Sequence, residues 1–378
     1  MNTYISAIGT AVPDHQIAQG AIARFMARTL QLSGAKQQRL LALYRASGID
    51  YRYSVLEDYG RTEGFSFFPD TPGMEPFPDI QQRMQVYQRE AIRLSANAAV
   101  HCLDQLPTLR RSDITHLVYV SCTGMYAPGV DIDLVNRLGL NTSVQRTAIN
   151  FMGCYAAFNA IKVAYSITQA QPSAKVLVVC TELCSIHFQK TNDEDTLLAN
   201  ALFADGAAAA LVSQDPTLSS VRLSLEQFYC DLAPDGQQDM AWNIGNFGFE
   251  MRLSAYVPKI IKKDIKQLTQ RLLQRLAYAE GEGEALALAD TIDYYAIHPG
   301  GKRILQVIEE VLELQKHDNR YAYEVLRHYG NMSSPTILFV LQALMHDLTV
   351  GDHDKQVLGL AFGPGLTLES MLLRVATL

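Results

Sequence analysis

Short apolar runs alternate with longer stretches of helical periodicity along most of the chain. Runs whose length suits a buried strand lie at 4–9, 116–122, 174–180, 206–212 and 294–298. A further strand is predicted at 145–150 and a closing pair of strands over 356–375. The segments 221–230 and 248–254 follow a turn at Asp215 and Pro216. Apolar spacing predicts helices over 80–106, 256–278 and 301–314, and residues 281–290 form a turn-rich connection. Buried strands separated by helices predict an α/β protein with a mixed or parallel sheet covered on both faces.

The order of the predicted elements is similar in the two halves of the chain. A strand that ends at Cys122 is followed by Cys154, which begins an apolar helix running to about residue 169. A strand that ends near His298 is followed by Asn331, which precedes another apolar helix. Each helix is followed by a predicted pair of buried strands, so we predict a duplicated α/β unit. The two predicted halves span 1–218 and 219–378.

Composition and charge narrow the class of protein. Of the 378 residues, 48% are hydrophobic and 19% are charged, which is enough apolar surface for a large core. The net charge of −7 and the lack of a basic stripe argue against a nucleic-acid partner. No transmembrane helix is expected, because no apolar run approaches the length of a bilayer span. The first residues do not resemble a signal peptide, and the six sparse cysteines indicate a reduced, cytoplasmic protein.

Cys154 stands out because it begins a helix with apolar residues on nearly every face. The positive end of the helix dipole would point at its sulfur. A helix N-terminus or a neighbouring imidazolium can lower the pKa of a thiol by several units. Gly153 leaves room for another group to approach the sulfur. Taken alone, this stretch fits a nucleophile and a small buried core thiol equally well.

Two further polar residues stand at the ends of apolar segments. The proline after His298 keeps that residue out of the helical region, so the ring would stand at the end of a strand. Asn331 precedes a helix for which we predict Ser334 as the N-cap and Pro335 as the first residue. Its neutral amide could donate to an oxyanion. Each residue alone is also compatible with a structural role.

A cysteine, a histidine and an asparagine in this chain order fit two reactions. One is hydrolysis by a papain-like cysteine protease, whose histidine and asparagine also lie far downstream of the cysteine. The sequence around Cys154 lacks the Cys-Gly-Ser-Cys-Trp-like context of that class. The other is a condensation in which the cysteine holds an acyl group that a carbanion attacks. The sequence therefore favours a condensing enzyme.

Five motifs carry a resemblance to a known family. They are MGCYAAFNAIKVA (152–164), ALFADGAAA (201–209), HPGGKRIL (298–305), GNMSSPTILFVL (330–341) and AFGPGLTLE (361–369). In this order they closely resemble the chalcone synthase-like type III polyketide synthases, and the likeness covers essentially the whole chain. The resemblance implies the thiolase fold, in which two α/β halves form five layers (αβαβα). It also implies a homodimer with a complete catalytic set in each subunit.

The resemblance assigns a role to each of these polar residues. Cys154 would be the nucleophile that takes the acyl starter from coenzyme A (CoA). His298 would form an ion pair with Cys154. His298 and Asn331 would hold the thioester carbonyl of malonyl-CoA while decarboxylation builds an enolate. Phe203 matches the family's gatekeeper, an aromatic residue between the CoA tunnel and the reaction cavity.

The resemblance implies a set of positions that line the reaction cavity, namely Thr123, Ala127, Cys184, His187, Trp242, Met251 and Ser333. Those that differ from the plant enzymes are Ala127, Cys184, His187, Trp242 and Met251. The set Thr123, Ala127 and Cys184 resembles bacterial alkylpyrone and alkylresorcinol synthases, which have a tunnel for long aliphatic starters. Trp242 would block the pocket that holds an aromatic starter, although it is also compatible with a core position.

Basic residues are the candidates for the CoA site. Lys302 and Arg303 follow the catalytic turn and could bind the phosphates of CoA. Asp50 stands where the plant enzymes have a CoA-binding lysine, and Arg45 and Arg52 could substitute for it. Both arginines fit ordinary surface cations equally well.

The predicted reaction starts from a medium- or long-chain acyl-CoA, adds malonyl units and closes an alkylpyrone or alkylresorcinol ring. No cofactor is expected beyond the CoA thioesters. No metal is expected either, because Cys180, Cys184 and His187 lack an evident fourth ligand. Two alternatives remain open. One is a ketoacyl-ACP synthase-like enzyme that condenses once, and the other is a catalytically silent acyl-binding paralogue.

Overall fold

The computed structural model describes residues 2–237, 239–254, 256–280 and 291–378, so the connection predicted over 281–290 lies outside the described residues. The strands are β1 (Tyr4–Ala11), β2 (His15–Ala18), β3 (Tyr51–Ser54), β4 (His116–Ser121), β5 (Gln145–Asn150), β6 (Lys175–Leu183), β7 (Asp205–Ser213), β8 (Val221–Leu232), β9 (Met240–Gly245), β10 (Gly248–Leu253), β11 (Tyr294–Ile297), β12 (Gln356–Gly363) and β13 (Thr367–Thr377). The helices are α1 (Gln19–Thr29), α2 (Gly34–Ala46), α3 (Ile80–Leu103), α4 (Val130–Leu138), α5 (Ala156–Ala170), α6 (Glu194–Leu202), α7 (Val257–Glu280), α8 (Lys302–Leu312), α9 (Arg320–Tyr329) and α10 (Thr336–Asp347).

The main sheet repeats one strand pattern in its two halves. Its strand order is β11-β12-β13-β8-β1-β7-β6-β4-β5. In the first half β4 is parallel to β6, β6 is antiparallel to β7, and β7 is antiparallel to β1. In the second half β11, β12, β13 and β8 repeat these directions in the same order. The duplicated unit predicted from the sequence is therefore confirmed.

Helices form three layers around the two halves of the sheet. The helices α5 and α10 lie in the middle layer, where their side chains share a core with β1, β6 and β12. Small residues on α5, namely Ala156, Ala157, Ala160 and Ala164, are almost completely buried and let the sheet approach the helix closely. Helix α3 packs on the outer face of the first half, and α7 packs on the outer face of the second. This is the αβαβα arrangement of the thiolase fold.

The duplication brings the polar residues together. Cys122 follows β4 and His298 follows β11, so both stand at the carboxyl ends of parallel strands. Cys154 lies at the start of the middle helix of the first half, and Asn331 lies just before that of the second. Each half thus contributes one residue from a strand end and one from a helix start.

A separate two-stranded hairpin, β9–β10, covers this region. Trp242 on β9 lies directly opposite Met251 on β10. The indole Nε1 of Trp242 donates to the carbonyl of Cys122 at 2.5 Å. The amide of Phe249 donates to Nδ1 of His187 at 2.9 Å. These bonds fix the hairpin over the ends of the strands.

Candidate active site

Cys154 occupies a single 3₁₀ turn, Gly153–Tyr155, that leads directly into α5. Gly153 has a φ of +74°, which an L side chain rarely adopts. A Cβ there would lie 2.5 Å from Cδ of Pro364, so the bend between β12 and β13 packs directly on this turn. The space predicted beside Cys154 is therefore filled by Pro364, and the thiol is 5% exposed.

Asn331 directs its amide nitrogen toward the nucleophile. Its Nδ2 lies 4.0 Å from the sulfur of Cys154 and 3.4 Å from the carbonyl of Gly300. Its Oδ1 accepts from the amide of Ser333 at 2.8 Å, which fixes the orientation of the side chain. The predicted N-cap role of Ser334 is wrong, because its hydroxyl donates to a carboxylate oxygen of Glu182 at 2.6 Å instead.

His298 lines the same pocket as Cys154 and Asn331, which we call the catalytic pocket. The ring is 1% exposed, and neither ring nitrogen has a hydrogen-bond partner among the described residues. Burial lowers the pKa of His298 to about 3 and raises the pKa of Cys154 to about 11. The expected ion pair is therefore not present in this geometry, because burial favours the neutral form of each group and no hydrogen bond joins them.

Glu182 is a site residue that the sequence analysis missed. It is fully buried at the end of β6, and its carboxylate accepts from the amide of Cys122 at 2.9 Å and from the hydroxyl of Thr123 at 2.8 Å. Burial raises the pKa of Glu182. Its charge also adds to the rise in the pKa of Cys154, whereas the hydroxyl of Ser333 and the amide of Asn331 oppose that rise. The available signal was a carboxylate inside an otherwise apolar strand, which is rarely buried without partners.

Thr123 was expected to line the cavity, but it does not line the catalytic pocket. Its side chain is fully buried, and its hydroxyl bonds Glu182 and the amide of Leu183. The preceding residue, Cys122, lines the catalytic pocket instead. The expectation was wrong by one position, because the chain bends at these two residues directly after β4 ends at Ser121. Ser333 is buried between the two thiols, with its hydroxyl 3.6 Å from the sulfur of Cys122.

Ala127 is also misplaced by the sequence analysis. It lies on the loop between β4 and α4, precedes Pro128 through a cis peptide bond, and is exposed. It lines neither the catalytic pocket nor the pocket beside it. The single chain therefore does not bring Ala127 to the site, and it cannot set the width of a tunnel within this subunit.

A second pocket adjoins the catalytic pocket. Phe203, Trp242 and Met251 line both pockets and form the wall between them. Cys184 and His187 line the second pocket, as the sequence analysis placed them in the cavity. The residue before Phe203, Leu202, lines a surface pocket on another side. Phe203 thus stands where access to the catalytic pocket can be controlled.

His187 has a structural role in this wall. Its Nε2 donates to the carbonyl of Thr123 at 2.6 Å, because its Nδ1 already accepts from Phe249. Its ring stacks on that of Phe249 with centroids 4.3 Å apart, and it meets Trp242 edge-on. Burial lowers the pKa of His187 to about 3, so the ring is neutral. With both nitrogens engaged it cannot bind a metal, and no metal-binding cluster of His, Cys, Asp or Glu occurs among the described residues.

The basic residues fall into two groups. Lys302 and Arg303 are exposed at the start of α8 and line a surface pocket. That pocket meets the catalytic pocket at Leu253, Gly300 and Ile304. Arg45 is exposed in the last turn of α2, and the next residue, Ala46, lines that pocket.

Arg52 is the exception, and its prediction as a CoA ligand is wrong. It is 5% exposed and bonds the carbonyls of Asn200 and Phe203. Asp50, at the position of the plant lysine, forms an exposed ion pair with Arg327 at 2.6 Å.

Comparisons with known proteins agree with this architecture. The chain matches the family described as chalcone and stilbene synthases, N-terminal domain, over residues 2–216, and the corresponding C-terminal domain over 224–377. Probable polyketide synthase 1 of Dictyostelium discoideum is 29% identical over 99% of this chain, although the chain spans 11% of that protein. The alpha-pyrone synthesis polyketide synthase-like Pks18 of Mycobacterium tuberculosis is 29% identical, with 97% of this chain and 90% of the relative covered.

A solved structure extends the agreement to three dimensions. The C-terminal type III polyketide synthase domain of Steely1, from Dictyostelium, superposes with a TM-score of 0.90 at 28% identity and covers 99% of both chains. No described helix has the length and apolar character needed to cross a bilayer. The chain belongs to the chalcone and stilbene synthase family of type III polyketide synthases, acyltransferases that carry out decarboxylating condensations.

Proposed function

We propose that the enzyme loads a medium- or long-chain acyl starter from CoA onto Cys154, extends it with malonyl-CoA and cyclises the product to an alkylpyrone or alkylresorcinol. The observation that carries the proposal is the meeting of Cys154, His298 and Asn331 in one buried pocket with a largely apolar second pocket beside it. The name of the mycobacterial relative, which refers to alpha-pyrone synthesis, supports the lactone product.

The first step transfers the starter to the enzyme. The thiol of Cys154 loses its proton to His298, which lines the same pocket, and the sulfur attacks the carbonyl of the acyl-CoA thioester. The bond from that carbonyl to the sulfur of CoA breaks, and CoA leaves as a thiolate that takes up the proton. Because burial holds the pKa of Cys154 near 11 in the free enzyme, we infer that this proton moves as the thioester binds.

The second step builds the carbon nucleophile. Malonyl-CoA loses carbon dioxide, and the electron pair of the broken bond forms an enolate. A neutral ring N–H of His298 and Nδ2 of Asn331 would donate to the enolate oxygen, which is where negative charge develops. The enolate carbon then attacks the acyl carbonyl on Cys154, forms the new carbon–carbon bond and releases the thiolate.

The remaining residues select and hold the substrates. Lys302 and Arg303 would bind CoA phosphates at the surface pocket, with Arg45 beside them on α2. The starter chain would pass the wall of Phe203, Trp242 and Met251 into the second pocket. No cofactor beyond the CoA thioesters is needed for this chemistry.

We also propose a homodimer. The sheet ends at β5, a strand whose residues are mostly exposed. An open edge strand presents unpaired backbone groups that favour pairing with another chain. A sedimentation-velocity measurement of the mass in solution tests this expectation, and a monomer at micromolar concentration would contradict it.

The experiment that tests the function is mass spectrometry of the products formed from malonyl-CoA and a panel of acyl-CoAs from hexanoyl to octadecanoyl, with coumaroyl-CoA for comparison. We expect pyrones or resorcinols that contain two or more added malonyl units on the longer starters. Products with one added unit would favour the ketoacyl-ACP synthase-like alternative. A lack of both malonyl-CoA decarboxylation and product would favour a silent acyl-binding paralogue.

A further inference from the structure

The carboxyl end of α6 is held by side chains from other elements. The last carbonyls of a helix lack partners within the helix and need donors from elsewhere. Here Nη1 of Arg52 donates to the carbonyl of Asn200 at 2.9 Å and to that of Phe203 at 2.5 Å. The side-chain amide of Gln19 donates to the carbonyl of Ala201 at 2.8 Å. One guanidinium thus bonds the last turn of α6 and the first residue beyond it.

The side chain of Arg52 is positioned by a further hydrogen bond and by close packing. Its Nε donates to Oε1 of Gln19 at 2.8 Å. A Cβ on Gly330 would lie 2.9 Å from Cγ of Arg52 and 3.0 Å from the carbonyl of Leu202, so the arginine stem packs directly against this glycine. The positive charge also lies at the carboxyl end of the α6 dipole, where a cation is favourable.

The same end of α6 is hydrogen-bonded to the backbone of Asn331. The amide of Asn331 donates to the carbonyl of Leu202 at 3.0 Å, and the amide of Ala204 donates to the carbonyl of Asn331 at 2.8 Å. These two bonds form a parallel bridge between Phe203 and Asn331. A shift of the backbone at Phe203 would therefore also shift the residue whose amide faces Cys154.

We propose that Arg52 is a positioning residue of the condensing reaction. It holds the backbone of Phe203 in the wall between the pockets and, through the bridge, the amide of Asn331 beside Cys154. The inference rests on the proposed function, because it requires that Asn331 acts in decarboxylation and that Phe203 contacts the starter chain. A misplacement of catalytic groups by about 1 Å can cost about 100-fold in rate, so the contact has a measurable consequence.

The test compares Arg52→Met with Arg39→Met, which changes an exposed arginine on α2. Methionine keeps an unbranched stem and removes every donor. We expect Arg52→Met to lower kcat about tenfold or more, both for polyketide formation and for malonyl-CoA decarboxylation, while KM for the acyl-CoA changes less than about twofold. The preferred starter length should shift as well, because Phe203 lines the second pocket. Arg39→Met should match the wild type in all of these measurements.

Arg52→Lys separates positioning from folding. Lysine keeps the charge, but its single ammonium group lacks the planar fork that serves two carbonyls and Gln19 together. We expect a folded protein, judged by its thermal melting, whose kcat lies between those of the wild type and Arg52→Met. If Arg52→Met does not fold, Arg52→Lys alone decides.

A folded lysine variant with the wild-type kcat and starter profile would overturn the proposal. So would a loss of activity that follows only the fraction of folded enzyme. The wild type in the same assay tests the proposed function independently. If it makes no extended product, that function fails, while the decarboxylation rate still reports on Arg52.

Discussion

The amide nitrogen of Asn331 lies 4.0 Å from the sulfur of Cys154, although the two residues belong to opposite halves of the chain. Each is found where the middle helix of its own half begins. The repeated strand order of the two halves therefore explains why the two residues face each other. Cys122 and His298 are related in the same way, since each follows the parallel strand of its half and both line the catalytic pocket.

Replacing Cys154 by alanine should abolish acyl loading and product formation. The donors on His298 and Asn331 remain in the variant, so malonyl-CoA should still be decarboxylated slowly to acetyl-CoA. Intact-protein mass spectrometry after incubation with acyl-CoA reports the loading, and liquid chromatography reports the acetyl-CoA. Extended product from the alanine variant would show that Cys154 is not the nucleophile.

Replacing Asn331 by alanine should slow decarboxylation about 10²- to 10³-fold, which is typical for the loss of one oxyanion donor. Asn331→Asp should be slower still, because a carboxylate repels the enolate that forms beside it. Release of carbon dioxide from labelled malonyl-CoA measures both rates. His298→Gln should show a loss of similar size to Asn331→Ala and should also slow the loading of Cys154. Equal rates for Asn331→Ala and Asn331→Asp would argue against an oxyanion at this position.

Enlarging Cys184 to phenylalanine should shorten the preferred starter. Cys184 lines the second pocket, and each methylene that loses its place there gives up about 0.8 kcal/mol of burial energy. Long starters should lose activity while hexanoyl-CoA keeps most of its rate. Cys230→Phe, at an exposed cysteine on β8, is the matched control and should keep the wild-type profile. A folded Cys184→Phe variant that still prefers long starters would place the acyl chain elsewhere.

Asp205 should make stability depend on pH. Burial raises its pKa from 3.8 to about 6, even though the amide and hydroxyl of Ser185 and the amide of Val55 bond its carboxylate. The folded protein therefore binds a proton that the unfolded chain has released between about pH 4 and pH 6. The contribution of this proton to the free energy of unfolding is complete below about pH 4. It is lost as the pH rises through about 6, where the folded protein releases the proton.

Denaturant unfolding of the wild type and Asp205→Asn between pH 4 and pH 7 checks this expectation. The free energy of unfolding of the wild type, relative to that of Asp205→Asn, should fall by up to about 3 kcal/mol over that range. A difference between the two proteins that stays constant with pH would contradict a raised pKa. Because only the difference is compared, other carboxylates that titrate in both proteins cancel.

Periodicity predicted the longer elements because their apolar faces are continuous. The long helices α3 and α7 and the strands of the main sheet other than β8 coincide with predicted elements. Cys154 and His298 were recognisable because each interrupts an apolar run. The shorter helices α1, α2, α4, α6 and α9 were missed. Helix α2 buries Leu40 and Tyr44 and has little apolar pattern to detect.

Several residues of the site were assigned wrongly because their surroundings depend on contacts that the local sequence does not show. Arginines are rarely buried, and Arg52 is buried because the end of α6, well over a hundred residues later, needs donors for its carbonyls. Thr123 and Cys122 were confused because the motif identifies a segment but not which of two neighbouring side chains faces the pocket. The ion pair of Cys154 and His298 was inferred from residue types, whereas the pKa values depend on how deeply the pocket is buried.

The hairpin β9–β10 helps to shape the pockets, whereas the main sheet places the catalytic residues. It supplies Trp242 and Met251 to the wall between the pockets, but it is not paired with the nine-stranded sheet whose halves carry the nucleophile and its partners. Substitutions in the hairpin that keep the bonds of Trp242 to Cys122 and of Phe249 to His187 can therefore change which acyl chains fit without altering the pairing of the main sheet. A protein built this way can diverge in the compounds it makes while its chemistry stays the same. Libraries that vary the hairpin alone are the natural starting point for altering its products.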